Sequence, residues 1–390
     1  MEKIRLGIIG IGNMGSGHAR NVVEGRCPEF ELTAVADINP ERIEWAKKEI
    51  SDKAVYFTDT IEMLDSGLID ACIVAVPHYN HPTYAIECMK RGIHVMVEKP
   101  AGVYARQVRE MNAVSAEHPE VVFGMMFNQR TNCIYRKLRE LVQSGKYGRI
   151  RRTNWLITNW YRPQAYYDSG DWRATWSGEG GGVLLNQCPH QLDLWQWICG
   201  MPKTVQAHLH FGKWHDIEVE DDVTAYVEYE NGATGVFITT TGDARGTNRF
   251  EIQMDKAKFV VENDKLYMEE FEMSEPEFSR TNTTPFGHMN YTACEVETDG
   301  LNLQHIGVLN AWAGAILRGE PLVASGAEGI NGLTLSNAMD LSAFTGKQVS
   351  LPLDDDFYYE ELMKRVATSR RKEGGKTVFA DTSKTYSGSK

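Results

Sequence analysis

The sequence predicts an α/β protein: a doubly wound parallel sheet at the N-terminus, followed by an α+β domain with a large, open and mostly antiparallel sheet. Two patterns indicate this. Apolar runs alternate with amphipathic stretches up to about residue 125, and after about residue 148 the runs lengthen and alternate with period two. A chain of 390 residues is too long to fold around a single hydrophobic core, so we expect two domains, at 1–125 and 126–368. The polar segment 369–390 is expected to be a mobile tail.

The first domain is predicted from six short apolar runs separated by helical segments, which is the βαβ pattern of a parallel sheet. Every residue between Ala71 and Val76 is apolar, as a strand covered on both faces requires. The predicted strands are Ile4–Ile9, Leu32–Ala36, Val55–Phe57, Ala71–Val76, Ile93–Val97 and Val121–Gly124.

The second domain is predicted from a hairpin in which Val223–Glu230 and Ala233–Thr241 flank Asn231-Gly232. Asn-Gly supplies the positive φ values that a type I′ turn needs. One face of the first strand is apolar and the other polar, so helices are expected on one side of this sheet only. We predict helices over 130–144, 186–199, 302–318 and 328–343, and a solvated loop for the acidic run Glu218, Glu220, Asp221 and Asp222.

Composition excludes several classes of partner. A net charge of −12 disfavours nucleic acid, because binding to phosphates rests on excess Lys and Arg. No run of about 18 apolar residues is present, so no membrane anchor or export signal is expected. Seven scattered Cys form no CxxC pair, which predicts free thiols and a cytoplasmic protein.

A glycine-rich turn predicts a dinucleotide site. Gly10-Ile11-Gly12-Asn13-Met14-Gly15 follows the first strand and opens the first helix, where the three glycines allow a tight turn, approach to a pyrophosphate and helix packing. Asp37 ends the second strand, where a carboxylate accepts ribose hydroxyls and repels a 2′-phosphate. Since Ile38-Asn39 offers no cation, NAD is predicted over NADP. The alternative is an ordinary turn and a helix-capping Asp before Pro40.

Two further clusters carry the candidate chemistry. Glu98-Lys99-Pro100 ends a parallel strand, and the proline holds Lys99 extended so that its ammonium can project into the crevice. A glycine run is followed by three polar residues whose spacing would place them on one side of a helix: Asn186, His190 and Asp193. Pro189 makes one continuous helix less favourable, because proline is tolerated only in a first turn or at a kink. Neutral His accepts a proton near pH 7. The alternatives are a surface Lys and a buried His satisfied by Asp193.

Seven Trp and Tyr residues lie between positions 155 and 176, a density that favours stacking on the faces of a sugar ring. About half of them are expected to be packing residues instead. From this segment we predict substrate contacts by Tyr161, Arg162, Tyr167, Trp172 and Arg173. His208, His210, His215 and Asp216 lack a third ligand of defined spacing, so no metal is predicted.

Together these residues resemble the Gfo/Idh/MocA oxidoreductases over the chain up to about residue 365. The resemblance rests on the three glycines, Glu98-Lys99-Pro100, Arg130, and the glycine run that leads to His190 and Asp193. It implies a Rossmann domain followed by an open sheet, a Lys99 that steadies the reacting oxygen, a His190 that exchanges its proton, and a homo-oligomer (dimer, tetramer or higher). The other predicted cofactor contacts are Asn13, Met14, Pro77, His78, Glu98, Lys99 and Asn128.

One departure from the family concerns Asn186, where members usually carry Asp, and a second concerns Cys188, where Gly is common. An amide can hold a sugar hydroxyl but cannot take its proton, so proton removal rests on His190. Asn186 and Asp193 are therefore predicted substrate contacts.

The sequence thus predicts NAD-dependent oxidation of a secondary hydroxyl of a sugar, glycoside or cyclic polyol. The aromatic segment motivates a version in which oxidation at C3 of a glucosyl ring gives a 3-keto sugar. The alternatives are a keto-sugar reductase, a redox-neutral NAD-dependent enzyme that cleaves glycosides, and a non-catalytic nucleotide-sensing regulator.

Overall fold

The computed structural model of the protein describes residues 3–370. Its N-terminal sheet has six strands: β1 Ile4–Ile9, β2 Phe30–Ala36, β3 Val55–Phe57, β4 Ala71–Val74, β5 His94–Val97 and β6 Phe123–Met125. All are parallel and lie in the order β3-β2-β1-β4-β5-β6. The connecting helices are α1 Asn13–Val23, α2 Pro40–Glu49, α3 Thr60–Asp65, α4 His81–Met89 and α5 Ala105–Glu117.

This strand order places the candidate site. The chain reverses direction across the sheet between β1 and β4, and in open parallel sheets the crevice for a ligand lies outside the carboxyl ends of the strands at that point. The glycine-rich turn leaves the carboxyl end of β1, and Glu98-Lys99 leaves that of the nearby β5. The glycine-rich turn and the Glu98-Lys99 segment therefore lie at the same edge of the sheet, where the strands have their carboxyl ends.

The second sheet has nine strands: β7 Ile150–Ile157, β8 Thr204–Phe211, β9 Glu220–Glu228, β10 Thr234–Thr240, β11 Asn248–Met254, β12 Ala257–Glu262, β13 Lys265–Phe271, β14 Tyr291–Glu295 and β15 Val349–Ser350. Their order is β14-β13-β12-β11-β7-β10-β9-β8-β15. β7 and β10 pair in parallel, and the other ladders of this sheet, all within residues 3–370, are antiparallel. The predicted fold class is confirmed.

The helices of the second half are α6 Cys133–Gln143, α7 Gln164–Tyr167, α8 Pro189–Cys199, α9 Glu275–Thr281, α10 Gln304–Arg318, α11 Gly329–Thr345 and α12 Asp355–Val366. In β9, Val223, Ala225 and Val227 are buried while Thr224 and Tyr226 are exposed, as the predicted alternation requires. The buried face packs into the larger core, which also contains residues of α8 and α11. That core joins the two sheets.

Helix α10 lies on the N-terminal sheet although it falls within the range predicted for the second domain. Its Val308, Leu309 and Trp312 belong to the core that surrounds β1 and β2, and the Trp312 ring lies 5.3 Å from that of Phe30, centroid to centroid. The Trp312 indole donates to the carbonyl of Val122 at 3.2 Å. The chain therefore returns to the first sheet, and the domain boundary at residue 126 stays a prediction.

The predicted type I′ turn at Asn231-Gly232 is wrong. Only Gly232 of this pair has a positive φ, and its amide donates to the carbonyl of Tyr229, so the loop is a longer turn closed by a left-handed glycine. Two successive residues with φ near +50° do occur between β12 and β13, at Asn263 and Asp264. Asn and Asp tolerate that conformation better than other non-glycine residues, so the tight hairpin forms there.

The predicted solvated acidic loop is also wrong, because Glu220 and Asp221 are buried and belong to β9. Glu220 accepts the backbone amides of Gly182 and Leu184. Asp221 accepts the amides of Lys213, Trp214 and His215, and also lies 3.0 Å from Nδ1 of His215. These carboxylates organise loops by binding amides that would otherwise be unsatisfied.

None of the helices between residues 3 and 370 combines the length and apolar composition needed to cross a lipid bilayer.

The C-terminal end of the described chain is held by hydrogen bonds. Ser369 and Arg370, the start of the predicted mobile tail, both hydrogen-bond to Glu218, through the Ser369 hydroxyl and the Arg370 amide. The rest of that predicted tail, 371–390, lies outside the described residues.

Candidate active site

The glycine-rich turn has the geometry that a dinucleotide needs. Gly10 has a φ of +88°, and a Cβ there would lie 2.4 Å from the carbonyl oxygen of Ala75. A Cβ on Gly15 would lie 1.9 Å from the carbonyl oxygen of Gly10, whereas one on Gly12 would meet nothing within 4 Å. Gly10 and Gly15 are thus fixed by close backbone packing. Gly12 leaves open space in front of the amides of α1, where a phosphate can bind.

Asp37 lies beside this turn and holds it. One carboxylate oxygen accepts the amide of Ile11 at 2.8 Å, and the other accepts the amide of Asn39 at 2.8 Å. The side chain that caps α2 is Asn39, so the alternative of a helix-capping Asp37 does not hold. Asp37 therefore lies beside the glycine-rich turn, and its contact with a ribose stays a prediction.

The structure brings a cation to this position that the sequence argument for NAD overlooked. Arg42, on the first turns of α2, donates to the carbonyl of Ile11 at 2.6 Å and lies over the ring of Trp45 at 3.9 Å. Burial lowers the pKa of Arg42, and the charge of Asp37 opposes that effect. The preference for NAD thus depends on the Asp37 carboxylate rather than on the absence of a cation.

This arrangement makes a testable prediction for Asp37→Asn, which keeps the shape and removes the charge. We expect the ratio of NADPH to NADH affinity to rise by about tenfold or more, because the repulsion of a 2′-phosphate is lost while Arg42 remains. Fluorescence titration with each reduced nucleotide measures the ratio. The exposed Glu41→Gln is the matched control, and an unchanged ratio in Asp37→Asn would remove Asp37 from the ribose site.

Glu98 joins the glycine-rich helix to the carboxyl end of β5. Its Oε1 lies 2.6 Å from Nε2 of His18 on α1, and its Oε2 accepts the amide of Lys99 at 3.1 Å. Burial alone would raise the pKa of Glu98, but the hydrogen bond and charge of His18 outweigh burial and lower it to about 2. Glu98 is thus a buried anion that fixes the position of Lys99.

Lys99 reaches across to the second domain. Its Nζ donates to the backbone carbonyl of Asn186 at 3.0 Å, so the sheet edge of the first domain and the glycine-rich segment of the second meet at this ammonium. Burial lowers the pKa of Lys99, while the carboxylates of Glu98 and Glu179 oppose that effect. Lys99 is therefore not a solvated surface Lys.

The segment around His190 is not one continuous helix, because a π-helical turn, Val183–Gln187, precedes Pro189, the first residue of α8. The predicted helix 186–199 is wrong in its first turn for this reason, since proline is tolerated only where a helix begins. His190 therefore lies in the first turn of α8, almost fully buried, with its ring edge-on to that of Phe127.

The electrostatic surroundings of His190 favour a neutral imidazole. Burial lowers the pKa of His190 well below its ordinary range, and the ammonium of Lys99 adds to this effect. A neutral ring next to a fixed positive charge can accept a proton from a bound alcohol. The structure thus brings together Lys99, His190 and Asn186, as the sequence predicted.

Asp193 has both carboxylate oxygens engaged by Arg130 inside the protein, which argues against its predicted roles as a substrate contact and as the partner of His190. It is buried and forms a bidentate ion pair with Arg130, with nitrogen–oxygen distances of 2.7 and 2.8 Å. Planar guanidinium and carboxylate groups match in this geometry, which satisfies two buried charges at once. The pair joins α8 to the segment after β6.

The aromatic segment divides into packing and exposed residues. Tyr167 is buried and donates to Thr241 at 2.8 Å, so its predicted role as a substrate contact is corrected to packing. The other buried rings of the segment are Trp155, Trp160 and Trp176. Tyr161, Arg162, Trp172 and Arg173 keep exposed surface, and the Arg173 guanidinium lies 4.6 Å from the ring centre of Trp172.

The remaining predicted cofactor residues lie in different environments. Asn13 and Met14 form the half-exposed first turn of α1, and Pro77 is exposed just beyond the end of β4. His78 is buried and lies 3.2 Å from the carbonyl of Glu179. Asn128 has no exposed surface and donates to Gln304 of α10, so the structure does not bring it to the surface of the site.

Sequence reasoning missed three residues that shape the site. His18 follows Gly15 by three positions, a helical spacing that could have indicated it. Glu179 directly precedes the glycine run, where a carboxylate could have been noticed as a candidate. Tyr166 was only one aromatic residue among many, yet its hydroxyl lies 3.3 Å from Nδ2 of Asn186 and accepts from Arg173 at 3.0 Å.

Two family models match this sequence. The model described as "Oxidoreductase family, NAD-binding Rossmann fold" matches residues 4–125, and the GFO/IDH/MocA C-terminal domain matches residues 135–260. The two ranges together cover more than half of the chain. The protein belongs to the Gfo/Idh/MocA family. The predicted family and the NAD-binding Rossmann domain are confirmed.

Curated relatives agree with this assignment. The rhizopine catabolism protein MocA of Rhizobium meliloti is 27% identical over 205 residues, which are 52% of this chain and 60% of that protein. The myo-inositol 2-dehydrogenase of Thermotoga maritima is 24% identical over 268 residues, which are 67% of this chain and 75% of that protein. The chain therefore spans less than two thirds of the length of MocA.

Solved structures share the whole architecture. The WlbA dehydrogenase of Bordetella pertussis, in complex with NADH and UDP-GlcNAcA, is 26% identical with a TM-score of 0.75, and the match covers 90% of this chain and all of that one. A levoglucosan dehydrogenase in complex with NADH and levoglucosan has a TM-score of 0.74 at 20% identity, which shows the fold alone. Its alignment covers 90% of this chain.

Proposed function

We propose that the protein is an NAD-dependent dehydrogenase that oxidises a secondary hydroxyl of a sugar, glycoside or cyclic polyol. One observation carries the proposal: the half-buried Lys99 ammonium, hydrogen-bonded to the backbone of Asn186, lies close enough to the buried His190 ring to lower its pKa, at the carboxyl edge of the Rossmann sheet. Oxidation of an alcohol needs one group that stabilises the developing oxyanion and another that takes the proton, and this pair supplies both.

The two side chains have separate roles. The backbone amide of Lys99 donates a hydrogen bond to the Glu98 carboxylate, and its ammonium donates one to the carbonyl of Asn186, so the positive charge is in place before a substrate arrives. His190 accepts the hydroxyl proton at an imidazole nitrogen, and its lowered pKa keeps that nitrogen available at neutral pH. When bound, NAD supplies the acceptor for the carbinol hydrogen and its electron pair.

The residues that fit the cofactor are those of the glycine-rich turn and its neighbours. Gly12 opens the space in front of α1 for the pyrophosphate, and Asp37 offers its carboxylate to the ribose. Glu98 has both oxygens engaged by His18 and Lys99, so we assign it to positioning Lys99 rather than to cofactor contact.

Partly exposed aromatic and cationic side chains of the segment 155–176 support a ring-shaped substrate. Tyr161 and Trp172 offer apolar faces on which the C–H face of a sugar ring can stack. Arg162 and Arg173 lie close enough to Lys99 to lower its pKa, so this side of the site is rich in positive charge. Sugars that carry an acidic group, as UDP-GlcNAcA of the WlbA complex does, therefore belong among the candidates.

The experiment that tests the proposal is absorbance at the reduced-nicotinamide band with NAD or NADP. The panel contains neutral sugars, inositols, uronic acids and aryl glycosides. We expect NAD to be reduced to NADH with at least one cyclic polyol or sugar, and NADP to be reduced to NADPH more slowly. Absence of NADH formation across the whole panel, from protein that binds NAD, would contradict the dehydrogenase proposal and favour the nucleotide-sensing alternative.

The same panel separates the finer versions of the proposal. Oxidation at C3 of an aryl glucoside would give a 3-keto sugar and stoichiometric NADH. Release of the aryl group without net NADH would instead indicate redox-neutral cleavage, and NADH consumption with keto sugars would reveal the reductase direction. The cytoplasmic location and the homo-oligomer stay predictions, and the seven thiols on which the location was argued are all free.

A further inference from the structure

A buried carboxylate lies at the edge of the candidate site and has no role in the chemistry described so far. Glu179 is 2% exposed. Its Oε2 accepts the amide of Ala174 at 2.6 Å, its Oε1 accepts the side-chain nitrogen of Asn186, and the Arg173 guanidinium lies 3.9 Å away. A carboxylate so deeply buried is costly unless several partners stabilise it. Two of those partners, Asn186 and Arg173, are predicted substrate contacts.

The hydrogen bond between Glu179 and Asn186 sets the polarity of the amide. Burial raises the pKa of Glu179, while the Arg173 charge and the hydrogen bonds from the Ala174 amide and Asn186 oppose that effect. The ionised carboxylate only accepts hydrogen bonds, so Asn186 must present Nδ2 to it. The same Nδ2 lies 3.3 Å from the hydroxyl of Tyr166. Both hydrogens of the amide are thereby directed to protein atoms, which leaves Oδ1 as the atom that can accept a hydrogen bond from a substrate hydroxyl.

Glu179 also belongs to the charge balance of Lys99. The backbone carbonyl of Asn186 accepts from Lys99 while its side chain binds Glu179, so the three residues form a connected set. Burial lowers the pKa of Lys99, and the Glu179 carboxylate opposes that effect. The other charged or titratable groups that influence Lys99, or are influenced by it, are Glu98, Arg162, Arg173, His78, His81, Cys188, His190 and His305.

We propose that Glu179 is a positioning residue of the dehydrogenase site: it fixes the Asn186 amide with Oδ1 presented to the substrate, and it supplies near Lys99 the negative charge that an amide at position 186 lacks. The inference rests on the proposed function.

The test is a cycle of three variants: Glu179→Gln, Asn186→Asp and the double variant. Glu179→Gln should lower kcat/KM by about ten- to a hundredfold, because a glutamine amide no longer imposes one orientation on Asn186. Asn186→Asp alone should also lose activity, since two carboxylates in hydrogen-bond contact cannot both ionise. The double variant restores a single carboxylate. Its kcat/KM should therefore be about tenfold or more above the value expected if the fractional losses of the two single variants simply multiplied.

A pH profile distinguishes positioning from mere support of the fold. Without the negative charge of Glu179 the pKa of Lys99 falls further, so the alkaline limb of kcat/KM should move to lower pH in Glu179→Gln. In the double variant it should return toward the wild-type position. Asp171→Asn, a partly exposed carboxylate in the same loop, is the matched control and should keep the wild-type limb.

A second readout needs no substrate. The rate at which an amine-reactive reagent modifies Lys99 is measured as a function of pH by peptide mass spectrometry, and it reports the titration of Lys99 directly. Thermal unfolding of each variant checks that it is folded. The expected result is a shift to lower pH in Glu179→Gln. An unchanged Lys99 titration, or purely additive losses in the double variant, would overturn the inference. If no sugar is oxidised, the proposed dehydrogenase fails and the Lys99 titration alone decides the role of Glu179.

Discussion

Lys99→Met is expected to lower kcat by about a thousandfold or more while NAD binding persists. The methionine keeps most of the buried stem and removes the ammonium, so the developing oxyanion loses a charge that was held in place in advance. A thousandfold loss is about 4 kcal/mol, the upper end of what removing one preorganised electrostatic group costs. Steady-state NADH formation measures kcat, and quenching of protein fluorescence by NADH measures binding.

The control for Lys99→Met is Lys90→Met, an exposed lysine at the end of α4 that should keep wild-type turnover. If Lys99→Met retained turnover within about threefold of the wild type, Lys99 would not stabilise the reacting oxygen. The proposed chemistry would then have to be replaced by one that does not use this ammonium.

His190→Gln is expected to lower kcat by about a hundred- to ten-thousandfold, because general base catalysis contributes that much. Glutamine can still hold a hydroxyl by hydrogen bonding but cannot take its proton. In the wild type, kcat/KM should fall at acid pH as the imidazole gains a proton. Burial and Lys99 lower the pKa of His190, so the acid limb of the kcat/KM profile should lie below pH 6.5, which is about the ordinary pKa of histidine.

In His190→Gln the acid limb assigned to the imidazole should disappear from the residual activity. His208→Gln, an exposed histidine on β8, is the matched control and should leave both the rate and the pH profile unchanged. Persistence of the same acid limb in His190→Gln would assign it to another group and contradict the role of His190 as the base.

The sequence predicted much of the fold because its strongest patterns are local. The apolar runs of β1 and β4 and the glycine-rich turn predict a Rossmann sheet directly, and the period-two alternation of β9 predicts a sheet with one buried face. The hairpin turn and the acidic run were misread for another reason: Gly232 bonds back to Tyr229, and Glu220 binds amides of the distant glycine run. The Gly232 contact is local and compatible with the same Asn-Gly pair, whereas the partners of Glu220 lie 36 and 38 positions away and leave no trace in a local pattern.

The same limit explains the site. Lys99, His190 and Asn186 were identifiable because each lies in a short segment of unusual composition. Asp193 was misassigned because its partner Arg130 is 63 positions away in the chain. Glu179 was missed because nothing in the spacing of a single Glu before three glycines shows that its carboxylate will be buried against Asn186. Contacts between distant segments decide which polar residues face the substrate and which are structural.

The most direct test of the central claim is a crystal structure of the wild-type protein with NAD and a sugar from the panel that it oxidises. We expect Nζ of Lys99 and an imidazole nitrogen of His190 within hydrogen-bond distance, about 2.6–3.2 Å, of the same substrate hydroxyl. A complex in which these two side chains contact different oxygens, or in which the oxidised carbon lies away from both, would contradict the account.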